Sequence, residues 1–566
     1  MRGHLHFGAP LLASVASWVI APGCSLNIVD TLVGSSADAA ADGATEGPLG
    51  EDGDNFEDSG EDGDSFGDEQ GEEGPSSPLF DVGEAASSIS CEFAAQFPSH
   101  IGCEFYGVDL DGPGLFEKDP FGFVVINPLS GPVEVTLERH GERGWTIVES
   151  RMVAGSDEAV LLPGDSEVHG TGLHEHATLR MTATAPVIVI QASPATGAGY
   201  SASATMLQPT AAWSTRNPVA GWRTHPGVGE PSFLAVVAQS SGTSVAVTPM
   251  FGIANIPPSW EPFIEIIDED AEPVQIAVTL PVEPGQLLRL DATAIDAAEV
   301  DHGTSGTMVE SGQEHLTSVF SAHTCAAIPD YEGSCGHMQE QLSAQLIGTQ
   351  FVGPRLVAAN VGLGPNGELG HERTMIQVAA TEPNTEVVFS YLDAQDAVVE
   401  LDSVIMDPDE PFAIYEYDHE LSVSADRPIL AAAYMTNAQL TGLGSASMVQ
   451  LAPVDQWTGS HWVWVPQGFE THLLVTAKAG AAVEVEWLTG LEEDNTPQSA
   501  VLLEDNETAA DGAGPWSVRR YAVPPGIYRV ETSGRASVVV SGWAPGDGFA
   551  YLAGWGPSLA DLGPAG

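Results

Sequence analysis

Basic side chains are scarce in this chain: 17 Lys and Arg stand against 79 Asp and Glu, and only Lys118 and Lys478 are lysines. A formal net charge of −62 repels phosphate backbones and anionic headgroups at long range, which argues against nucleic acid as a partner and leaves a lipid anchor as the one route to a membrane. Long apolar runs are missing too. The main one, Leu11 to Cys24, is too short to span a bilayer. No long stretch keeps helical periodicity, which argues against a helical bundle. The string His-Glu-x-x-His and a phosphate-binding Gly loop closed by Lys-Ser or Lys-Thr do not occur, and the one Gly-x-Ser-x-Gly string, Gly63 to Gly67, sits in an acidic run and not at the strand-to-helix elbow that the motif needs, so no catalytic residue, metal ligand or cofactor is assigned.

Cysteine is rare, and its count is odd. Five Cys in a chain with an export-type leader implies that one is set aside. Arg2, the apolar stretch and small residues before Cys24 have the form of a bacterial lipoprotein signal, with Cys24 as the lipidated residue and Ser25, not Asp, behind it, the pattern sent on to an outer membrane. An ordinary secretory leader is the competing reading. The remaining Cys fall as two close pairs, Cys91 with Cys103 and Cys325 with Cys335. Three connectivities are open, of which local pairing closes the shortest loops; each bridge would contribute about 3 kcal/mol.

What is present sorts into a tether and a body. From Ser25 to Ser90 the chain carries 18 acids and no Lys or Arg, with the quasi-repeat Glu51 to Phe56 and Glu61 to Phe66. So few apolar residues cannot offset the entropy of ordering, and like charges extend such a segment. Setting aside the leader's one Arg and these 18 acids leaves −45 on residues 91–566.

From Cys91 onward, short β-branched runs are punctuated by Gly and Pro, the pattern of an all-β chain. Four segments begin alike, at Phe123, Phe233, Met375 and His472, each reading as strand, turn, strand. A second shared run begins at Thr182, Gly312, Val423 and Thr532, and a third at Ser201, Gly336, Ser445 and Gly548. Offsets of roughly 100 to 140 residues predict tandem β-sandwich-like modules; a β-propeller is the alternative. The expected division is 1–23 signal peptide, 24–89 disordered acidic tether, then β modules over 90–215, 216–356, 357–466 and 467–566.

The strings CEFAAQFPSHIGCEFYGVDL (Cys91 to Leu110) and HTCAAIPDYEGSCGHMQEQL (His323 to Leu342) resemble the N-terminal domain of IgGFc-binding proteins, with its paired Cys and its His-x-Cys, Cys-x-His and Glu-Gln-Leu signature. The resemblance is clear from Cys91 to Gly353 and looser beyond. It implies an extracellular, β-rich domain of poorly defined activity, in bacterial members typically on an exported surface protein. Ser343 and Ala344 stand where the family often has prolines, and the Cys-rich von Willebrand type D repeats of its animal members are absent, so antibody binding is not carried over.

His323, Cys325, Cys335 and His337 have zinc-type identities, but an exported chain bridges the two Cys and removes both thiolates. His323, His337 and Glu340 then stand as candidate partner contacts, as do Trp462 and Trp464, which share one face of a predicted strand in the manner of a glycan platform. His169, His174 and His176 are read as a surface strand with the last two on one face, and Asp109-x-Asp111-Gly112 as a turn at a strand end. These readings describe a non-catalytic cell-surface lipoprotein, or an extracellular one, whose β modules bind or adhere to a protein or glycan. Alternatives are a secreted metal-dependent hydrolase and a structural envelope or matrix component.

Overall fold

The computed structural model describes residues 89–112, 120–164, 166–197, 201–224, 230–268, 275–293, 303–328, 335–356, 374–392, 397–416, 419–436, 445–489, 499–508 and 515–557. All of them lie in one compact unit, residues 78–566. Cys24 and the acidic segment up to residue 88 fall outside the described residues.

Strands dominate. The one α-helix among the described residues is α1 (Cys91–Ala94), and none is long and apolar enough to cross a membrane. A first group of strands runs β1 (Gly102–Val108), β2 (Gly122–Asn127), β3 (Val133–Gly141), β4 (Gly144–Val153), β5 (Asp157–Leu161), β6 (Gly172–His174), β7 (Thr178–Ser193) and β8 (Ser203–Met206). A second holds β9 (Arg216–Pro218), β10 (Ser232–Ala238), β11 (Thr243–Thr248), β12 (Ile264–Asp268), β13 (Gln275–Val282), β14 (Leu287–Asp291), β15 (Met308–Ser311), β16 (Thr317–Ala326) and β17 (Gly336–Leu342). The third comprises β18 (Gly348–Gly353), β19 (Thr374–Ala380), β20 (Thr385–Leu392), β21 (Val398–Met406), β22 (Phe412–Glu416), β23 (Leu421–Met435) and β24 (Ser447–Gln450). Last come β25 (Thr458–Val465), β26 (Glu470–Lys478), β27 (Val483–Thr489), β28 (Val501–Thr508), β29 (Trp516–Val523), β30 (Gly526–Ala544) and β31 (Asp547–Leu552).

A long strand organises each group by serving two sheets in turn. The first half of β7 pairs with β1 and β3, and its second half with β2 and β8. β23 treats β18, β20, β19 and β24 the same way, and β30 treats β25, β27, β26 and β31. Pro186 and Pro428 sit at the handover, where a residue without an N–H interrupts no ladder. In the second group the long strand is broken outright into β15 and β16, and two five-stranded sheets result. One edge partner crosses groups: β6 pairs with β14.

The third shared run of the sequence forms the four short strands β8, β17, β24 and β31. β8 packs on β17, β17 on β24, β24 on β31, and β31 returns to β8. The two expected architectures therefore meet. Each group has two halves, joined by a long strand in the first, third and fourth, while the inner halves of four or five strands close like propeller blades around these short strands. Side chains of one inner strand satisfy the backbone of the next. Gln341 N–H donates to Thr205 Oγ1 at 3.0 Å, Gln450 N–H to Glu340 Oε1 at 3.1 Å, and Ala550 N–H to Ser447 Oγ at 2.9 Å. Apolar strands with both faces covered, such as β2, β10 and β16, hold the core behind them.

Candidate functional site

The closed ring decides the fate of the residues nominated from the sequence. Cys91 is bonded to Cys103 and Cys325 to Cys335. His323 is buried, its Nε2 3.1 Å from the Arg223 carbonyl and its Nδ1 accepting the Cys325 N–H at 3.0 Å. Burial pulls its pKa down to about 3. His337 and Glu340 are buried on β17, and Trp462 and Trp464 are buried on β25. The expectation that these five side chains touch a partner is corrected: none reaches the surface. Polar residues in a strand suggest a solvent face, yet here they fill the seam between neighbouring groups, and both faces of the Trp-bearing strand are covered.

A second cluster joins two strings that the sequence kept apart. Leu110 and Val168 form an isolated parallel bridge, which sets Asp111 beside the residues flanking Val168. His169 Nδ1 lies 2.9 Å from Asp111 Oδ1, and the Gly112 N–H donates to Glu167 Oε1 at 2.9 Å. One donor atom from each of Asp111, Glu167 and His169 lies within 4.8 Å of the others. Arg289, fully buried on β14, contacts Asp111 Oδ2 at 3.0 Å and Asp291 Oδ1 at 2.6 Å, with its guanidinium 3.7 Å above the Phe233 ring. Asp109 accepts from Ser166 N–H at 2.8 Å. Burial, with Asp111 and Asp109 nearby, pushes Glu167 up to about 7, although the Gly112 N–H opposes it; burial and Asp111 also raise Glu230.

Sequence reasoning singled out Asp111 and His169 separately and missed Glu167 and Arg289. The available signal was Asp109-x-Asp111-Gly112; its partner across the bridge was not. The expected shared face of His174 and His176 is also corrected. β6 stops at His174, and His176 sits in a turn at φ 60°.

A third feature lies at the sheet margins. Large exposed apolar side chains gather on outer edge strands: Ile147 (67%) with Val148 and Met152 on β4, Ile266 (60%) with Ile267 on β12, Ile405 (70%) with Val398 on β21, and Val501 (57%) with Leu502 and Leu503 on β28. β4, β12, β21 and β28 each end the path of their sheet. Acids sit beside these residues: Glu265 and Asp268 on β12, Glu400 and Asp402 on β21, and Glu504 and Asp505 on β28.

A family profile described as "IgGFc binding protein" matches residues 203–542. The chain belongs to that family. In this IgGFc-binding family chain the matched region starts at β8 and stops within β30, so it reaches much further toward the C-terminus, and begins later, than the resemblance read from Cys91 to Gly353. The Glu340-Gln341-Leu342 signature falls inside it and serves the ring: Gln341 bonds toward β8, and Glu340 toward β24. No curated protein matches the chain. Among solved structures, one titled "Crystal structure of tetra-tandem repeat in extending region of large adhesion protein" is 11% identical, with 81% of this chain and 99% of that chain covered and a TM-score of 0.09.

Proposed function

We propose that this chain is a non-catalytic lipoprotein of the cell surface, held by Cys24 and its acidic tether, which binds a protein partner by strand addition at the outer edges of its sheets. The observation that carries the reading is the concentration of exposed apolar side chains on β4, β12, β21 and β28. Edge strands in soluble proteins are usually defended by Lys, Pro or bulges, because unpaired N–H and C=O groups accept any free strand. Here each of the four edges has a register irregularity in its pairing, yet it also carries exposed Ile, Val or Leu, and no Lys or Pro occurs on any of the four. Apolar patches left in water mark interaction sites. Strand addition draws affinity from main-chain hydrogen bonds and specificity from alternate side chains.

The chemistry of the occupant follows from these neighbouring acids. Acids beside the apolar positions, on a body carrying −45, suit an extended strand that alternates apolar and basic side chains. Membership of a binding-domain family is compatible with this role.

Two measurements test the reading. Crosslinking capture on intact cells should yield adducts of the wild type that the combined variant Ile147→Lys, Ile266→Lys and Ile405→Lys loses; unchanged adducts would refute edge binding. In cells fed a palmitate analogue, the wild type should carry label and Cys24→Ala should carry none; equal labelling would refute the anchor.

A further inference from the structure

Among the described residues, the cluster on Asp111 brings two carboxylates and an imidazole to one place with the spacing of a metal site. We propose that Asp111, Glu167 and His169 bind a divalent transition cation of the zinc class. The donor set is two carboxylates and one imidazole, with one atom of each inside a 4.8 Å span. Zinc takes nitrogen and oxygen ligands at about 2.0–2.2 Å in tetrahedral arrangement, so donors roughly 3 to 4 Å apart surround it. Calcium and magnesium prefer oxygen alone, and the imidazole selects against both.

Local backbone already orients the donors. The Gly112 N–H fixes Glu167 Oε1, and Arg289 with Thr324 engages Asp111 Oδ2 at 3.0 and 3.4 Å, which leaves Oδ1 turned to His169. The His169 side chain is 58% exposed, so an ion enters directly from solvent. Charge favours the cation as well. Arg289 pairs with Asp111 and Asp291, and Asp109, Glu167 and Glu230 add carboxyl groups close to Asp111.

An independent observation comes from the inner side. His337 is buried beside Asp111 and Arg289, with the backbone of His323 and Asp111 near its ring, and neither ring nitrogen has a partner at good hydrogen-bond geometry. A buried imidazole in that condition is costly to keep. A cation with three protein ligands retains water on its open position, and such a water supplies the hydrogen bond that His337 lacks. The cation would thereby tie the end of β1 to β17 of the next group.

The test is a Zn²⁺ titration of the full chain against a chromophoric chelator, paired with Co²⁺ absorption. The acidic tether offers carboxylate oxygens but no imidazole, so the expected result is a single tighter class of site above any weak background from it. His169→Ala and Glu167→Gln, both at solvent-accessible positions, should each weaken that class by about tenfold or more, and His169→Ala should alter the Co²⁺ visible band. The exposed control Glu484→Gln should change neither. Wild-type affinity in both variants, or no class tighter than the background, would overturn the assignment.

Discussion

His100 Nδ1 lies 2.7 Å from the carbonyl oxygen of Trp555 and 3.0 Å from its amide nitrogen, joining residues 455 positions apart. This contact brings the last described turn of the body back to the first. The Trp555 indole adds a second link, donating to Gln208 Oε1 at 2.8 Å just beyond β8. Burial pulls His100 down to about 4, so the closure is made by a neutral imidazole near neutral pH.

Replacement of Trp555 by Ala should therefore cost more than an ordinary truncation at a chain end. The side chain is fully buried, and removing it leaves both a cavity and the Gln208 amide without its donor. The expected loss is about 3–5 kcal/mol, read as a drop in the denaturant midpoint, with faster amide exchange around His100.

Glu340 makes stability depend on pH in a definite direction. Burial pushes it up to about 8, against bonds from Gln450 and Thr205, and its Oε2 has no partner. In the folded chain the group holds its proton between pH 4.5 and 8, whereas the unfolded chain has released it. Folding stability from this group is thus present below pH 4.5 and lost as pH rises toward 8. Glu340→Gln should flatten that decline, so the gap in thermal midpoint between variant and wild type should shift in favour of the variant from pH 5 to pH 8. Parallel curves would contradict the prediction.

The third and fourth groups meet through buried charge. Arg520 Nη2 bonds to Glu420 and, at 2.7 Å, to the Arg355 carbonyl, while Arg355 Nε lies 3.3 Å from Glu420 Oε1. Arg520→Met strips Glu420 of its main cation and should cost about 3 kcal/mol in denaturant unfolding. Adding Glu420→Gln removes the stranded charge, and the double variant should recover a large part of the loss. A double variant less stable than the single would refute the pairing.

Legibility in the sequence followed the range of the interaction. The successive strands β2 and β3, β10 and β11, β19 and β20, and β26 and β27 match the strand, turn, strand segments read at Phe123, Phe233, Met375 and His472, because apolar runs and turn residues are local signals; that the two strands of each segment pair with other partners rather than with each other was not legible. The run at Ser201, Gly336, Ser445 and Gly548 was visible as a repeat, but its role was not. Thr205, Glu340 and Ser447 act on backbone groups over 100 residues away, and no pattern along the chain reports that distance. Likewise, β6 leaves its own group to pair with β14, and Asp111 meets His169 only through the Leu110 bridge. Trp462 and Trp464 were placed correctly in one strand; what covered them could not be read.

The account centres on free sheet edges that accept a partner strand, and site-specific photocrosslinking on intact cells examines it most directly. A photoreactive residue would be installed in turn at Ile147, Ile266, Ile405 and Val501 on the edges, and at the exposed positions Glu314 and Arg535 away from them. Adducts to one protein partner from edge positions, with none from Glu314 or Arg535, are the predicted result. Adducts formed equally from all positions, or only from the two away from the edges, would contradict it.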